Sequence, residues 1–329
     1  MKNFIMTRSN KLFIQRFFFY SIITTTLFLH GCSDKSTEPD TPASAGKFDL
    51  EILVDGDTRK YIVEVPEVYN SRKSLPVVFM FHGTSETGEY MYEKSGWVEK
   101  GKVEGFISVY PTSWKYCFND RGTIRNTTRF NSYNMESIIC EGEKLRDDVK
   151  FFQVMVDEIS SKWLVDKKRI YVCGFSNGAS FTSRLAVEKS DIITAIVSSS
   201  GSLGVAANIP PTPVRKLPIM LLFGNEDSYF VDATGEPLPM ENPNTVLDHT
   251  YIKKLLEPYI NRFSVRGVPI ISDLSLAYKY DFNPINQNDP HIFVFTLVRN
   301  MGHVFPNGNN APVNGINLYW DFFSKYSSQ

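Results

Sequence analysis

The sequence predicts an α/β fold in which a mostly parallel, doubly wound sheet follows an N-terminal antiparallel hairpin. From residue 75 onwards, strand-forming runs alternate with segments of helical apolar spacing, the pattern of helices that cover both faces of a sheet. Two of the runs, 75–81 and 218–223, are almost unbroken apolar stretches typical of central strands. After an N-terminal leader, about 290 residues remain, which suits one large domain.

The leader, residues 1–32, has the pattern of a bacterial export signal. Basic residues precede an apolar stretch, 17–29, of about thirteen residues, which is too short for a transmembrane helix. It ends in Leu29-His30-Gly31-Cys32, which resembles the lipobox of bacterial lipoproteins, whose cysteine is lipidated. His30 departs from that pattern, because a small residue is usual there. An ordinary secretory signal with an incidental cysteine is the alternative.

Residues 33–46 are polar and rich in Pro, Ser and Thr, so we expect a disordered linker. Together with Cys32, this linker predicts a domain, residues 47–329, that a lipid tethers to a bacterial membrane, in the periplasm or at the cell surface. Without lipidation, the same leader predicts a secreted protein. No later stretch is long enough to span a membrane, so membrane contact is expected only through the lipid.

Charge and cysteine usage exclude several classes of partner. The net charge is −1, and because the leader holds four Lys or Arg and no acid, the remainder carries −5. This balance offers no basic surface for nucleic acid. No spacing of His and Cys is typical of zinc, and we expect neither a metal nor another cofactor. Oligomeric state is not indicated.

The remaining cysteines suggest one disulfide. Cys117 and Cys140 lie in one loop-like region, and an oxidising compartment favours a bond between them, with two free thiols as the alternative. Cys173 lies in a predicted buried strand, where we expect a free thiol.

The first elements begin with a hairpin. Residues 48–54 and 61–65 alternate apolar and polar residues around the turn signal Asp55-Gly56-Asp57. Residues 89–100 predict a helix, and 105–110, closed by Pro111, predict a buried strand.

Residues 112–144 show little periodicity and predict an irregular loop of about thirty residues, a length typical of a lid or binding loop. Aromatic residues there, Trp114 first, are candidates to stack on a sugar or phenolic group. Alternatively, they pack the loop onto the domain.

The second half continues the alternation of strands and helices. Residues 147–164 have apolar residues at helical spacing, and Asp147 is a suitable N-cap. The later predictions are strands at 191–199, 277–281 and 292–298 and helices at 245–263 and 316–326.

The stretch from Arg169 to Ser180 carries the main chemical signal. A strand, Ile170–Cys173, turns through Gly174-Phe175-Ser176-Asn177-Gly178 into a helix, as a Gly-x-Ser-x-Gly nucleophile elbow requires. The turn exposes the Ser176 hydroxyl, and the glycines avoid collisions with the neighbouring strand and helix. The Asn177 N–H then faces the same point and is a candidate oxyanion donor. The pattern alone is weak, and a plain Gly/Ser turn is the alternative.

The loop after the strand 75–81 is the candidate for a second oxyanion donor. The strand runs into His82-Gly83-Thr84, and in this architecture the first strand–helix loop supplies such an N–H, which we assign to Thr84. His82 precedes the nucleophile, so a structural role is favoured over that of a base. It remains a weak candidate for contact with the substrate.

An acid and a base follow Ser176 in the required chain order. Asp227 comes after the strand 218–223, and His303 comes after the strand 292–298, each at the carboxyl end where sites lie in such sheets. His303 would take the proton from Ser176, and Asp227 would orient the imidazole. The other histidines lie in the leader, in a predicted helix and at a strand start (His30, His249 and His291).

These motifs resemble secreted α/β-hydrolases grouped with polyhydroxybutyrate depolymerases and feruloyl or acetylxylan esterases. The resemblance covers most of residues 47–329. The matching segments are Leu75-Pro76 into Phe81-His82-Gly83, Asp147-Asp148-Val149, Gly174 to Ala179, Gly224 to Asp227 and Gly302 to Pro306. It implies the triad Ser176, Asp227 and His303, and it selects Asp227 over its competitors Glu226, Asp232 and Asp248.

Two departures affect the expected substrate. The family often has His before the Gly of its acid motif, where this chain has Phe223, and often has Trp two residues after the histidine, where this chain has Phe305. Both positions lie around the family's pocket, so Phe305 is a weak candidate for substrate contact.

The sequence therefore predicts a serine esterase that acts through an acyl-enzyme, on feruloyl or acetyl esters of plant polysaccharide. A polyhydroxyalkanoate depolymerase, which would bind a polyester, and a short-chain carboxylesterase are alternatives, and a peptidase is less favoured. A different class, a non-catalytic glycan-binding surface lipoprotein, would lose a triad position, and none is lost.

Overall fold

The computed structural model describes residues 44–133, 135–204 and 212–328. The predicted leader, the lipidation site Cys32 and most of the predicted linker lie outside the described residues. The first strand begins at Gly46, one residue before the predicted start of the domain.

The element order alternates strands and helices, as predicted. The strands are β1 (Gly46–Val54), β2 (Asp57–Val65), β3 (Leu75–Phe81), β4 (Ile107–Pro111), β5 (Lys115–Asp120), β6 (Thr123–Thr128), β7 (Val165–Phe175), β8 (Ala195–Ser199), β9 (Ile219–Gly224), β10 (Ile270–Leu274), β11 (Ala277–Phe282) and β12 (Phe293–Val298). The helices are α1 (Gly88–Lys94), α2 (Trp97–Glu104), α3 (Asp148–Lys162), α4 (Asn177–Glu188), α5 (Ser228–Thr234), α6 (Pro243–Asp248), α7 (Thr250–Arg262) and α8 (Gly315–Phe323).

Among the described residues, ten strands form one sheet in the order β1-β2-β4-β3-β7-β8-β9-β12-β11-β10. The six central strands, from β4 to β12, are parallel. The antiparallel pair β1–β2 flanks them on one side, joined by the two-residue turn Asp55-Gly56, and β11–β10 flanks them on the other. This confirms the predicted fold class and the N-terminal hairpin. The carboxyl ends of the central strands share one edge, where a site is expected.

Helices cover both faces of the sheet. Along β3, Val77 and Phe79 pack into a cluster with α3, α4 and α7, whereas Val78 and Met80 pack into a cluster with α1, α2 and α8. All four side chains are buried. The unbroken apolar run of this strand thus reflects burial on both faces, as predicted.

Two predicted helices are each divided in the structure. The predicted helix 89–100 is α1 and α2, separated at Ser95-Gly96, where Gly96 has a left-handed φ of 84° that ends the helical path. The predicted helix 245–263 is α6 and α7, separated by the extended backbone of His249. The short helix α5 and the edge strand β10 were not predicted, since neither has a clear apolar period.

The prediction of an irregular loop at 112–144 is wrong. The segment contains the hairpin β5–β6, which turns at Arg121-Gly122 with φ of 52° and 91°. Its strand β6 has no buried residue, so the sequence lacks the apolar alternation that reveals a strand. The disulfide Cys117–Cys140 ties β5 to the chain that follows the hairpin, and Cys173 is a buried free thiol, as predicted.

A buried ion pair anchors the end of this segment. Arg59 Nη2 on β2 donates to Asp148 Oδ1 at 2.6 Å, and their side chains are 1% and 0% exposed. Asp148 Oδ2 accepts a second hydrogen bond, from the Asn131 backbone N–H at 2.7 Å. One carboxylate therefore joins the sheet, the start of α3 and the chain that follows the β5–β6 hairpin.

We expect Asp148→Ala to lower the free energy of unfolding by about 3–5 kcal/mol, because it leaves the buried Arg59 charge without a partner. Asp147→Ala is the matched control: Asp147 is the exposed N-cap of α3, bonded to the Lys150 N–H, and its loss should cost about 1 kcal/mol. Urea unfolding of both variants measures the difference. Equal losses would contradict the role given to Asp148.

Candidate active site

Ser176 lies at the sharp turn between β7 and α4, as the elbow pattern predicts. Its backbone has a φ of 52° and a ψ of −117°, a strained conformation for a residue with a side chain. The Ser176 N–H donates to the Ser199 carbonyl of β8 at 2.9 Å, which holds the turn against the sheet. Such strain persists only where the surrounding structure fixes it, and it exposes the hydroxyl at the edge of the sheet.

Close backbone contacts explain the glycines on either side of Ser176. A Cβ on Gly174 would overlap the backbone of Gly178, and a Cβ on Gly178 would overlap the Phe81 and His82 carbonyls. These are the collisions that the sequence predicts. Gly201, which the sequence analysis did not single out, is equally constrained, because its Cβ would overlap the Ser176 carbonyl.

The structure brings Ser176, His303 and Asp227 together. His303 Nε2 lies 3.0 Å from Ser176 Oγ, and His303 Nδ1 lies 2.8 Å from Asp227 Oδ1. Asp227 follows β9, is fully buried and caps α5 by accepting the Tyr229 N–H. The same Oδ1 therefore faces both His303 and the Tyr229 N–H, whereas Oδ2 has no hydrogen-bond partner among the described residues.

The competing residues lie elsewhere or have other partners. His291 is buried and its ring bonds to the Phe263 carbonyl, and Asp248 forms an exposed ion pair with Lys253. Asp232 forms an ion pair with Arg121. None of these arrangements links a carboxylate to a histidine beside Ser176.

His82 is completely buried below the site, and its predicted contact with substrate is wrong. Its Nε2 accepts the Ser113 N–H at 3.0 Å, and its Nδ1–H donates to the Gly83 carbonyl at 2.6 Å. Burial lowers the pKa of His82 to about 4, so the ring is neutral at pH 7. In a protonated ring, Nε2 would carry a hydrogen that points at the Ser113 N–H, and this hydrogen bond would be lost. His82 therefore has the structural role that the sequence analysis favoured.

Trp114 and Phe305 do not line the cleft. Phe305 is buried, so its predicted contact with substrate is wrong, whereas the contact predicted for the half-buried Trp114 stays a prediction. The Arg146 guanidinium lies 4.4 Å from the Trp114 ring, which packs on a small core beneath the β5–β6 hairpin. Phe305 is buried against Phe175 and Tyr319. Both aromatic side chains pack the domain, which is the alternative that the sequence left open for Trp114.

The predicted oxyanion residues Thr84 and Asn177 both line the cleft at Ser176. The loop that carries Thr84 packs closely on Ser176, since a Cβ on Gly83 would lie 3.4 Å from Ser176 Cβ. Glu86 Oε2 accepts the Gly83 N–H at 2.7 Å and fixes this loop. Burial raises the pKa of Glu86, although the Gly83 N–H and nearby His303 oppose this effect.

The Asn177 side chain joins the elbow to the chain after β6, a contact that the sequence did not predict. Its Oδ1 accepts the Phe130 N–H at 2.6 Å, and its Nδ2 donates to the Phe130 carbonyl at 3.0 Å. Two residues earlier, the Thr128 carbonyl accepts the Ser85 N–H at 2.9 Å. Residues 128–130 therefore bond to both sides of the predicted oxyanion hole.

The site opens into a polar cleft of about 890 Å³. Its wall includes Tyr133, one of the aromatic residues of 112–144 that the sequence offered for substrate contact, and four side chains that were not assigned: Arg121, Arg125, Arg129 and Tyr229. Arg121 lies in the turn of the β5–β6 hairpin, Arg125 lies in β6 and Arg129 directly follows β6, so the three are four residues apart. Only recognition of that hairpin would have placed Arg125 and Arg129 on one side of an extended segment.

Within the described part of the chain, no helix is long and apolar enough to cross a membrane. The same residues contain no group of His, Cys and acidic side chains suited to a metal ion.

Comparisons with known proteins agree with this architecture. A family model described as phospholipase/carboxylesterase matches residues 64–237, more than half of the chain. The solved acetyl xylan esterase from Aspergillus awamori superposes with a TM-score of 0.53 and 14% identity, and the match covers 85% of this chain and 99% of that one. This likeness shows the α/β-hydrolase fold.

Two curated relatives match in sequence. A bifunctional acetylxylan esterase/xylanase of Neocallimastix patriciarum is 22% identical over 265 residues, which cover 78% of this chain and 32% of that protein. Poly(3-hydroxyalkanoate) depolymerase C of Paucimonas lemoignei is 30% identical over 129 residues, 39% of this chain and 28% of that protein. The chain thus spans about a third of the length of these relatives.

We expect His82→Gln to change how stability depends on pH. The native pKa of His82, about 4, lies below its ordinary value of 6.5. The contribution of the neutral ring to the free energy of unfolding is therefore fully present above pH 6.5. It is lost as the pH falls towards 4. The stability advantage of the wild type over the variant should therefore shrink by on the order of 3 kcal/mol between pH 7 and pH 4.

Urea unfolding at a series of pH values measures this difference directly. A difference that stays constant across the series would show that burial does not hold His82 neutral.

Proposed function

The chain belongs to the phospholipase/carboxylesterase family, and we propose that it is a serine esterase with Ser176 as nucleophile, His303 as base and Asp227 as the orienting acid. One observation carries the proposal. The hydrogen-bonded series from Ser176 Oγ through the His303 ring to the buried Asp227 has the spacing that nucleophilic catalysis needs. The chain order of the three residues is that of α/β-hydrolases.

The hydrogen bonds define how the first half of the reaction proceeds. The Asp227 carboxylate accepts from His303 Nδ1–H, so Nε2 is left to take the proton from Ser176 Oγ as that oxygen attacks the ester carbonyl. The imidazolium that forms faces the buried negative charge of Asp227. The N–H groups of Thr84 and Asn177 hold the oxyanion, and His303 then protonates the departing alcohol.

The second half repeats the same proton transfers with water. His303 Nε2 takes a proton from a water molecule, the resulting hydroxide attacks the acyl carbonyl, and the acid leaves as Ser176 recovers its proton. The fixed loop at Gly83 and Glu86 keeps the oxyanion donors in place through both halves.

For the substrate, we infer an acetyl or feruloyl ester on plant polysaccharide. The wide cleft carries charged side chains, among them Asp120, Arg121, Arg125 and Asp232, and such walls suit a hydrated glycan better than an apolar polyester chain. One relative in sequence is an acetylxylan esterase/xylanase. Polyester hydrolysis, the activity named in another relative, is the alternative.

The proposed location follows from the leader. We propose that the enzyme is exported and held at the bacterial membrane by a lipid on Cys32. The disulfide Cys117–Cys140 supports an oxidising compartment.

Substitution of Ser176 tests its proposed role as nucleophile. The wild-type domain, residues 44–329, should release p-nitrophenol from the acetate and butyrate esters, and Ser176→Ala should lower kcat by at least about 10³-fold, because the acyl-enzyme cannot form. Circular dichroism of both proteins controls for folding.

A panel of acetylated xylan, methyl ferulate and polyhydroxybutyrate then identifies the substrate. Full activity of a folded Ser176→Ala would overturn the assignment and favour a non-catalytic glycan-binding protein.

A second prediction concerns Glu86. Glu86→Gln keeps a carbonyl oxygen for the Gly83 N–H, whereas Glu86→Ala removes it, so we expect kcat to fall about tenfold in the alanine variant and less than threefold in the glutamine variant. Equal kcat losses would contradict a role through the Gly83 hydrogen bond.

The glutamine variant also tests the charge of Glu86. Burial raises the native pKa of Glu86 above its ordinary 4.5. The stability of the wild type therefore falls as the pH rises from 4.5 through the native pKa. The glutamine variant lacks this loss, so its stability relative to wild type should be greater at pH 7 than at pH 4. Thermal unfolding at both pH values measures it.

A further inference from the structure

Three arginines line one wall of the cleft, and two of them have carboxylate partners. Arg121 Nη1 lies 2.6 Å from Asp232 Oδ2, and Arg125 Nε lies 2.8 Å from Asp120 Oδ2. Both arginine side chains are half or more exposed to solvent. Exposed ion pairs of this kind contribute little to stability.

Arg129 differs from both. It is half-buried, its Nε is shielded from solvent without a hydrogen-bond partner, and among the described residues no carboxylate lies within 4 Å of it. Its guanidinium carbon lies 5.0 Å from the Phe118 ring centroid. The most desolvated arginine of the wall is therefore the one without a direct ion pair; Asp120, which is paired with Arg125, acts on it only at longer range.

Stability alone does not explain this arrangement. Removing a cation from water costs free energy unless an anion or several hydrogen bonds offset the loss, and a face contact with Phe118 offsets only part of it. Burial lowers the pKa of Arg129, which reflects the same cost. An anion that enters the cleft would supply the missing partner.

The backbone of Arg129 is fixed with respect to the nucleophile. Thr128 on one side bonds to the loop of Thr84 through Ser85, and Phe130 on the other side is held by the Asn177 amide. The Arg129 N–H itself donates to the Trp114 carbonyl at 3.0 Å. The backbone that carries the guanidinium is therefore fixed beside the cleft before a ligand binds.

We propose that Arg129 binds a carboxylate carried by the ester substrate and thereby makes the enzyme prefer anionic over neutral esters. This proposal rests on the proposed esterase function. The planar guanidinium matches a carboxylate in bidentate geometry, and a partly desolvated site strengthens the interaction. The carboxylate belongs either to the alcohol side, as in a uronic acid residue, or to the acyl side, as in the half-ester of a dicarboxylic acid.

Two matched substrate pairs separate these sources. 4-Acetoxybenzoate and 4-acetoxybenzamide differ in charge on the alcohol side, and the p-nitrophenyl esters of adipic and hexanoic acid differ in charge on the acyl side. The quantity measured is the ratio of kcat/KM, anionic over neutral, at about 0.15 M ionic strength. We expect the wild type to favour the anionic member of one pair, and Arg129→Gln to lower that ratio about tenfold or more.

Two further variants control the result. Arg129→Lys keeps the charge but not the planar fork and should retain part of the preference. Arg125→Gln removes an arginine that already has a partner, so it should change the ratio less than about twofold. If Arg129→Gln does not fold, as judged by thermal unfolding, the test is the comparison of the kcat/KM ratios of the wild type and Arg129→Lys.

The proposal is overturned if the wild type shows no anionic preference in either pair. It is equally overturned if Arg129→Gln or Arg129→Lys lowers kcat/KM for both members of a pair by the same factor. An equal loss would show that Arg129 stabilises the oxyanion or the fold and does not recognise the charge of the substrate. Binding of 4-acetoxybenzoate to Ser176→Ala, measured calorimetrically with and without Arg129→Gln, keeps the test independent of turnover. If the wild type hydrolyses no ester, the esterase function fails, while Arg129-dependent binding would still support the anion site.

Discussion

The hydrogen bonds between the Asn177 side chain and the Phe130 backbone are the interaction on which the site depends most. The backbone of Asn177 follows the nucleophile directly, so its side chain fixes the cleft wall with respect to Ser176. The Ser85–Thr128 hydrogen bond closes the same arrangement from the oxyanion loop. A single polar residue thus links a strained turn of the sheet to a segment whose own apolar core is small, formed by Tyr116, Phe118 and Met135.

Polar contacts hold that segment in position together with the burial of Phe130 against Phe81 and Phe181. The Arg59–Asp148 pair holds its end through Asn131, and the Cys117–Cys140 bond holds its start. Buried polar contacts have demanding geometry, because each unpaired group costs free energy in a low dielectric. They therefore specify one arrangement of the cleft wall, while the apolar clusters on the two faces of the sheet supply most of the stability.

The sequence predicted the candidate triad more completely than the wall of the cleft, for a physical reason. Parallel strands bring their carboxyl ends to one edge, so Ser176, Asp227 and His303 could be expected near one another, although the family resemblance was needed to select Asp227 over Glu226 beside it. Arg129 could not be placed, because β6 lacks the apolar alternation of a strand. His82 and Phe305 were misplaced, since residue type does not reveal which way a side chain points; both are buried inside the domain.

The disulfide Cys117–Cys140 gives the cleft wall a sensitivity to redox conditions that the sheet lacks. It joins residues 23 positions apart, with β6 and Arg129 between them, whereas the remaining described cysteine, Cys173, is buried and has no disulfide partner. Reduction would loosen this wall and leave the sheet that carries Ser176, Asp227 and His303 intact. On the proposed function, thiol chemistry in the surroundings would therefore act on the wall proposed to select the substrate and not on the proposed triad.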